Sequence, residues 1–136
     1  MELARLLYIS EATRPIGPAE LAGIVRTSQQ NNATKGITGL LVCAGGQFFQ
    51  ALEGDPLRVS ALYNHIRADP RHTNAVRLQF KPIGTRLFAE WGMELVHADH
   101  AGPIDQDRMA KALIRLRLGN GLAADEVDVL LREFRS

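Results

Sequence analysis

Two polar side chains occupy positions where an apolar residue would fit the surrounding pattern better. Tyr8 lies between Leu7 and Ile9 in a short apolar run, and Gln50 lies inside Phe48-Phe49-Gln50-Ala51-Leu52. A buried polar group left without a partner costs ~1–3 kcal/mol, so both side chains need one. A phenol, with an ordinary pKa of about 10, keeps a transferable proton at neutral pH. A carboxamide carries donor and acceptor on one rotatable group and can reverse its hydrogen-bond pattern. If their strands are adjacent and parallel, Tyr8 and Gln50 can bond each other. On these residues alone, a pair that serves a ligand and a pair that merely satisfies itself stand level.

Other residue types narrow the chemistry. Asn31 and Asn32 are either ordinary helix C-cap residues or amides offered to a ligand between helices and sheet. Trp91 and Met93 alternate on an expected strand and suit a core first. The histidines at 65, 72, 97 and 100 show no metal-ligand spacing, and the one cysteine, Cys43, suits a small buried hydrophobe. No glycine-rich stretch carries the Lys and Ser/Thr of a phosphate loop, and no serine sits in a strained nucleophile turn.

These side chains need elements to hold them. Leu3 to Ser10 reads as a central strand, and Pro18 opens a helix with Leu21, Ile24, Val25 and Ser28 on one side, closed by Asn31, Asn32 and Gly36. Ile37 to Cys43 is a buried strand, Ala44-Gly45-Gly46 a turn, and Gln47 to Glu53 the hairpin partner. Gly54-Asp55-Pro56 caps a second helix carrying Val59, Leu62, Tyr63 and Ile66, which Pro70 ends. Val76 to Pro82 alternates, with Val76, Leu78 and Phe80 on one side and Arg77, Gln79 and Lys81 on the other; Ala89 to His97 is a fifth strand.

The order β-α-β-β-α-β-β predicts an α+β, ferredoxin-like sheet with right-handed crossovers and both helices on one face. Its first and third strands lie side by side in the middle. Residues 104–134 are expected to form two helices divided by Gly119-Asn120-Gly121, docking on the second face of the sheet or on another subunit. The expected division is 1–98 for the sheet domain and 99–136 for the helical extension.

The bulk numbers exclude several classes. Apolar residues make up 46% and charged residues 23% of 136, an ordinary globular balance. Sixteen Lys and Arg against fifteen Asp and Glu leave a net charge of +1. The one basic cluster, Arg108, Lys111, Arg115 and Arg117, suits a solvated helix face better than nucleic acid. No signal peptide or membrane-spanning stretch is visible, so the expectation is a cytoplasmic protein without membrane or nucleic-acid partners.

In order along the chain stand Tyr8 and Ser10, Asn31-Asn32, Gly36-Ile37-Thr38-Gly39-Leu40-Leu41, Phe48-Phe49-Gln50-Ala51-Leu52-Glu53-Gly54, Asp69-Pro70-Arg71-His72 and Trp91-Gly92-Met93. This ordered set closely resembles the BLUF family, sensors of blue light using FAD, over about residues 2 to 98. The resemblance implies a flavin between the helices, FAD by family habit, with FMN or riboflavin as alternatives. It implies Tyr8 as the photochemical electron and proton donor and Gln50 as the switching amide beside the flavin N5 and C4 carbonyl. It places Asn32, with Asn31 nearby, at the pyrimidine edge, counts Ser28 among the cofactor-binding residues, and sets Ile24 and Ile66 on the two sides of the ring. Asp69, Arg71 and His72 match residues near the ribityl and phosphate end, and Trp91 and Met93 the fifth-strand pair of the light response. His65 departs from relatives that carry a long cation there, and Gly92 replaces a small polar residue.

The function expected is a photosensory module rather than an enzyme, switching contacts with a downstream protein and forming a homo-oligomer. Two alternatives stand beside it. One is a ferredoxin-like interaction module without photochemistry. The other is an acylphosphatase-like hydrolase, for which Arg14 and Asn32 are the nearest candidates although its glycine-rich loop is missing.

Overall fold

The structure is a computed structural model describing residues 2–44, 46–88 and 94–97. The elements are β1 (Leu3–Ala12), α1 (Pro18–Lys35), β2 (Thr38–Ala44), β3 (Gln47–Gly54), α2 (Pro56–Arg67), β4 (His72–Ile83) and β5 (Glu94–His97). Trp91, Met93 and the helical pair expected over 104–134 lie outside the described residues.

The strands form one sheet in the order β4-β1-β3-β2-β5. β1 and β2 each pair with β3 antiparallel, which makes them parallel to each other, as a crossover through α1 requires. β1 and β3 are therefore adjacent as expected but antiparallel rather than parallel. The hairpin turn between β2 and β3 reverses the chain, so the strand inserted beside β1 must run against it.

Turn and cap chemistry explain the boundaries. Pro18 stands in the first turn of α1, where its missing N–H breaks no bond. Gly36 ends α1 in the left-handed conformation at φ 65°, its N–H bonding the Asn32 carbonyl. Asn31 and Asn32 thus lie within the helix rather than closing it. The Asp55 carboxylate accepts from the amides of Leu57 and Arg58, both at 3.1 Å, and caps α2.

Both helices pack on one face. Leu21 and Val25 of α1 and Val59 and Tyr63 of α2 share a core with Leu6, Leu41, Phe48 and Leu52 of the sheet. The opposite face is buried too, with Leu7, Ile9, Leu40, Val42, Phe49 and Ala51 all fully enclosed.

The sheet edge departs from the expected alternation. Register shifts in β1–β4 pairing set Ile9 against Val76 but Leu6 against Phe80. Residues paired across strands share a side, so Val76 and Phe80 fall on opposite faces, not together with Leu78. A bulge inserts an extra residue and reverses the alternation beyond it.

Candidate functional site

A cavity of about 420 Å³ opens between α1 and α2 over the helix-bearing face of the sheet. Its floor is the row made by Tyr8, Gln50 and Leu41, which sit in register across β1, β3 and β2. Tyr8 and Gln50 are 1% and 4% exposed, and the Tyr8 hydroxyl donates to Gln50 Oε1. Burial raises the Tyr8 pKa far above its ordinary value, with smaller contributions from Tyr63 and Asp69. The phenol therefore stays neutral and keeps its proton. The Tyr63 ring lies beside it, centroids 5.2 Å apart. A half-turn of the Gln50 amide would exchange acceptor for donor at the phenol.

The walls come from neighbouring rows on the two helices. On α1, Leu21 and Val25 turn into the core, while Glu20, Ile24, Thr27, Ser28 and Asn31 follow one another at helical spacing along the cleft. On α2, Val59 and Tyr63 turn inward, while Leu62, His65 and Ile66 face the cleft. Ile24 and Ile66 thus come from opposite walls. Asn32, 1% exposed, brings a buried carboxamide to the α1 side.

One end of the cleft is charged. Arg71 grips Asp69 through Nη2 to Oδ2 at 2.6 Å and Nε to Oδ1 at 3.0 Å, while its own backbone N–H bonds the same carboxylate at 2.9 Å. That guanidinium holds the Asp69 carboxyl down to about 2. His72 Nδ1 meets Ser10 Oγ at 2.8 Å, and its ring lies 4.8 Å from that of Phe48. Burial lowers the His72 pKa and favours the neutral imidazole. Glu20 is engaged by Arg14 in a bidentate pair at 2.8 and 2.6 Å.

Aliphatic side chains on both walls, amides along one edge and a neutral phenol with a carboxamide beneath suit a flat heterocycle rich in carbonyls and ring nitrogens. The isoalloxazine of a flavin is such a group, and these residues fit it. Among the described residues no three His, Cys, Asp or Glu cluster as ligands.

The model of the family described as sensors of blue light using FAD matches residues 3–94. The chain belongs to the BLUF family. Among curated relatives, the beta subunit of a photoactivated adenylate cyclase from Euglena longa is 46% identical over 90 residues, 65% of this chain. This BLUF chain spans only about 10% of that relative. Among solved structures, the dark state of the BLUF protein BlrB has a TM-score of 0.78 at 32% identity, covering 96% of this chain and 93% of that one. The photo-activated state of BlsA gives a TM-score of 0.80 at 26% identity, covering 97% and 94%. A bacterial light-regulated adenylyl cyclase gives 0.74 at 29%, covering 86% of this chain and 40% of that one. BLUF chains bind flavin, and the matched region is a light-sensing module.

The structure brings Tyr8, Ile24, Ser28, Asn31, Asn32, Gln50, Ile66, Asp69, Arg71 and His72 to this one cleft. Sequence reasoning missed Glu20, Gly23, Thr27, Leu41, Phe48, Leu62 and His65 as lining residues. The spacing of Glu20, Ile24, Thr27 and Asn31 is a helical face and could have revealed the α1 wall. Leu62 was visible but belonged to a stripe that reads as core. Arg14, half of the hydrolase pairing, is committed to Glu20 and does not line the cleft, whereas Asn32 does.

Proposed function

We propose that this chain holds FAD non-covalently in the interhelical cleft and works as a cytoplasmic blue-light sensor whose output is a change of contacts with a downstream protein. The observation that carries the reading is the buried hydrogen bond from Tyr8 to Gln50 on the cleft floor. FAD is taken from the family description, FMN and riboflavin being the alternatives.

Asn32, with Asn31 and Ser28, holds the hydrogen-bonding edge of the ring, and Ile24 and Ile66 enclose its two faces. Asp69, Arg71 and His72 attend the ribityl and phosphate end. Bound flavin supplies the chromophore and, once excited, a strong one-electron acceptor. Tyr8 would be the donor of an electron to that acceptor and of its hydroxyl proton along the bond to Gln50, both returned in the dark. Gln50, its donor and acceptor reversed, would then donate toward the ring, and the stronger bond would move the absorption band to the red without net oxidation. Trp91 and Met93 carry the change outward. A homo-oligomer presents it, in the manner of a two-state element biased by light.

Support for an effector downstream of the light signal comes from the relatives, among which BLUF regions occur within light-regulated cyclases far longer than this chain. Protein purified in the dark should be yellow, release FAD on denaturation, and shift reversibly to the red under blue light. A colourless or unresponsive preparation would favour an interaction module instead.

A further inference from the structure

On the face of the sheet away from the cleft, three consecutive residues donate to a single one. Glu53, fully buried on β3, accepts from the Phe88 amide through Oε1 at 2.8 Å and from the Leu87 amide through Oε2 at 3.1 Å. Arg86 Nη1 bonds its backbone carbonyl at 3.1 Å and the Thr38 hydroxyl at 3.0 Å. Arg5 Nε completes the carboxylate at 2.9 Å. Arg5 and Thr38 are the register partners of Glu53 on β1 and β2, so the row spans the three inner strands.

The topology gives this row its meaning. β4 and β5 lie at opposite edges, so the connection between Ile83 and Glu94 joins strands that stand four strand spacings apart, roughly 19 Å. Glu53 stands midway. An ion pair with Arg5 alone would leave most of the carboxylate lone pairs to be satisfied elsewhere, and the crossover amides satisfy them. Residues 86–88 cannot leave β3 without stripping donors from a buried charge, so strand and crossover move together. The same strand carries Gln50 three residues earlier, on the other face. Glu53 does not line the cleft.

We infer that Glu53 is a positioning residue that ties the crossover at Arg86–Phe88 to β3 and thereby passes to β5 the displacement that switching at Gln50 imposes on β3. The inference rests on the light-sensor reading above. It assigns to one carboxylate the mechanical link between the cleft and the output edge of the sheet.

Hydrogen exchange of the flavin-loaded protein, in the dark and under steady blue light, tests it through the peptides covering 84–97. Wild type should show a light-induced difference there. Glu53→Gln, which loses one of two acceptor oxygens, should keep the yellow colour and the red shift but lose that difference. Arg5→Met, which breaks the ion pair yet leaves both amide bonds, should retain it. Should Glu53→Gln fail to fold, Arg86→Met removes both hydrogen bonds of that side chain, to the Glu53 carbonyl and the Thr38 hydroxyl, and should shrink the difference. A wild-type-sized difference in Glu53→Gln or, failing that, in Arg86→Met overturns the coupling. So does equal loss in Glu53→Gln and Arg5→Met, or a wild type that shifts to the red without any difference in 84–97. A wild type with no red shift would instead count against the light-sensor reading itself.

Discussion

Gln50 and Glu53 sit three residues apart on β3 and face opposite ways, and their surroundings differ in kind. Around Gln50 the setting is neutral and reversible: a phenol bonds it from the next strand in the floor row, and the cavity with its amide and aliphatic walls lies above. Around Glu53 the partners are a guanidinium and two fixed backbone amides, all aimed at one buried charge. A neutral amide can be turned at little electrostatic cost, whereas a buried carboxylate cannot release its donors cheaply. The contrast shows how one strand can be adaptable on one side and fixed on the other, so that a local rearrangement is carried rather than dissipated.

The comparison predicts unequal sensitivity. Arg5→Met, on the fixed side, leaves a buried carboxylate short of its counter-charge and should cost about 3 kcal/mol of stability, measured by urea unfolding of the flavin-loaded protein. A loss of a few tenths would mean that the two sides are alike. Asn32→Ala, on the cleft side, should weaken flavin binding by about 1–3 kcal/mol, roughly 5- to 150-fold in Kd by titration. Asp55→Ala removes the α2 cap and should lower stability by about 1 kcal/mol while leaving the red shift intact.

The smallest effect expected is in pH dependence, which belongs to the cleft side. Burial holds His72 below its ordinary 6.5, so below that pH the unfolded chain takes up a proton that the folded chain resists. Stability from this group is complete above about pH 6.5 and declines as pH falls from there through the depressed folded value. His72→Gln should flatten that slope in unfolding curves between about pH 7.5 and 5. Asp69 acts in a separate window: with its folded value held down to about 2, its contribution is present above the ordinary carboxylate range and is lost progressively as pH falls from 3.8 through about 2.

Much of the site was legible because its residues break local rules. A tyrosine and a glutamine inside apolar strands demand partners, whereas the paired asparagines read equally as helix caps until the ordered set of motifs is taken together. The hairpin at Ala44–Gly46 and the Asp55 cap were legible from turn and cap chemistry. The strand direction of β1 against β3 was misjudged, because side-chain pattern is the same whichever way a strand runs. The bulge in β4 was invisible, since a register shift depends on the partner strand. Glu53 and the crossover were missed for a related reason: the donors at 86–88 lie more than thirty residues away, and two of them are backbone amides that carry no sequence signature.

The account depends on Tyr8 as the source of the proton and electron that allow Gln50 to switch. The light-minus-dark absorption spectrum of flavin-loaded Tyr8→Phe addresses this directly. The variant should remain yellow in the dark and show no reversible red shift, because the phenylalanine ring keeps the shape but holds no transferable proton. A red shift of wild-type size in that variant would contradict the account.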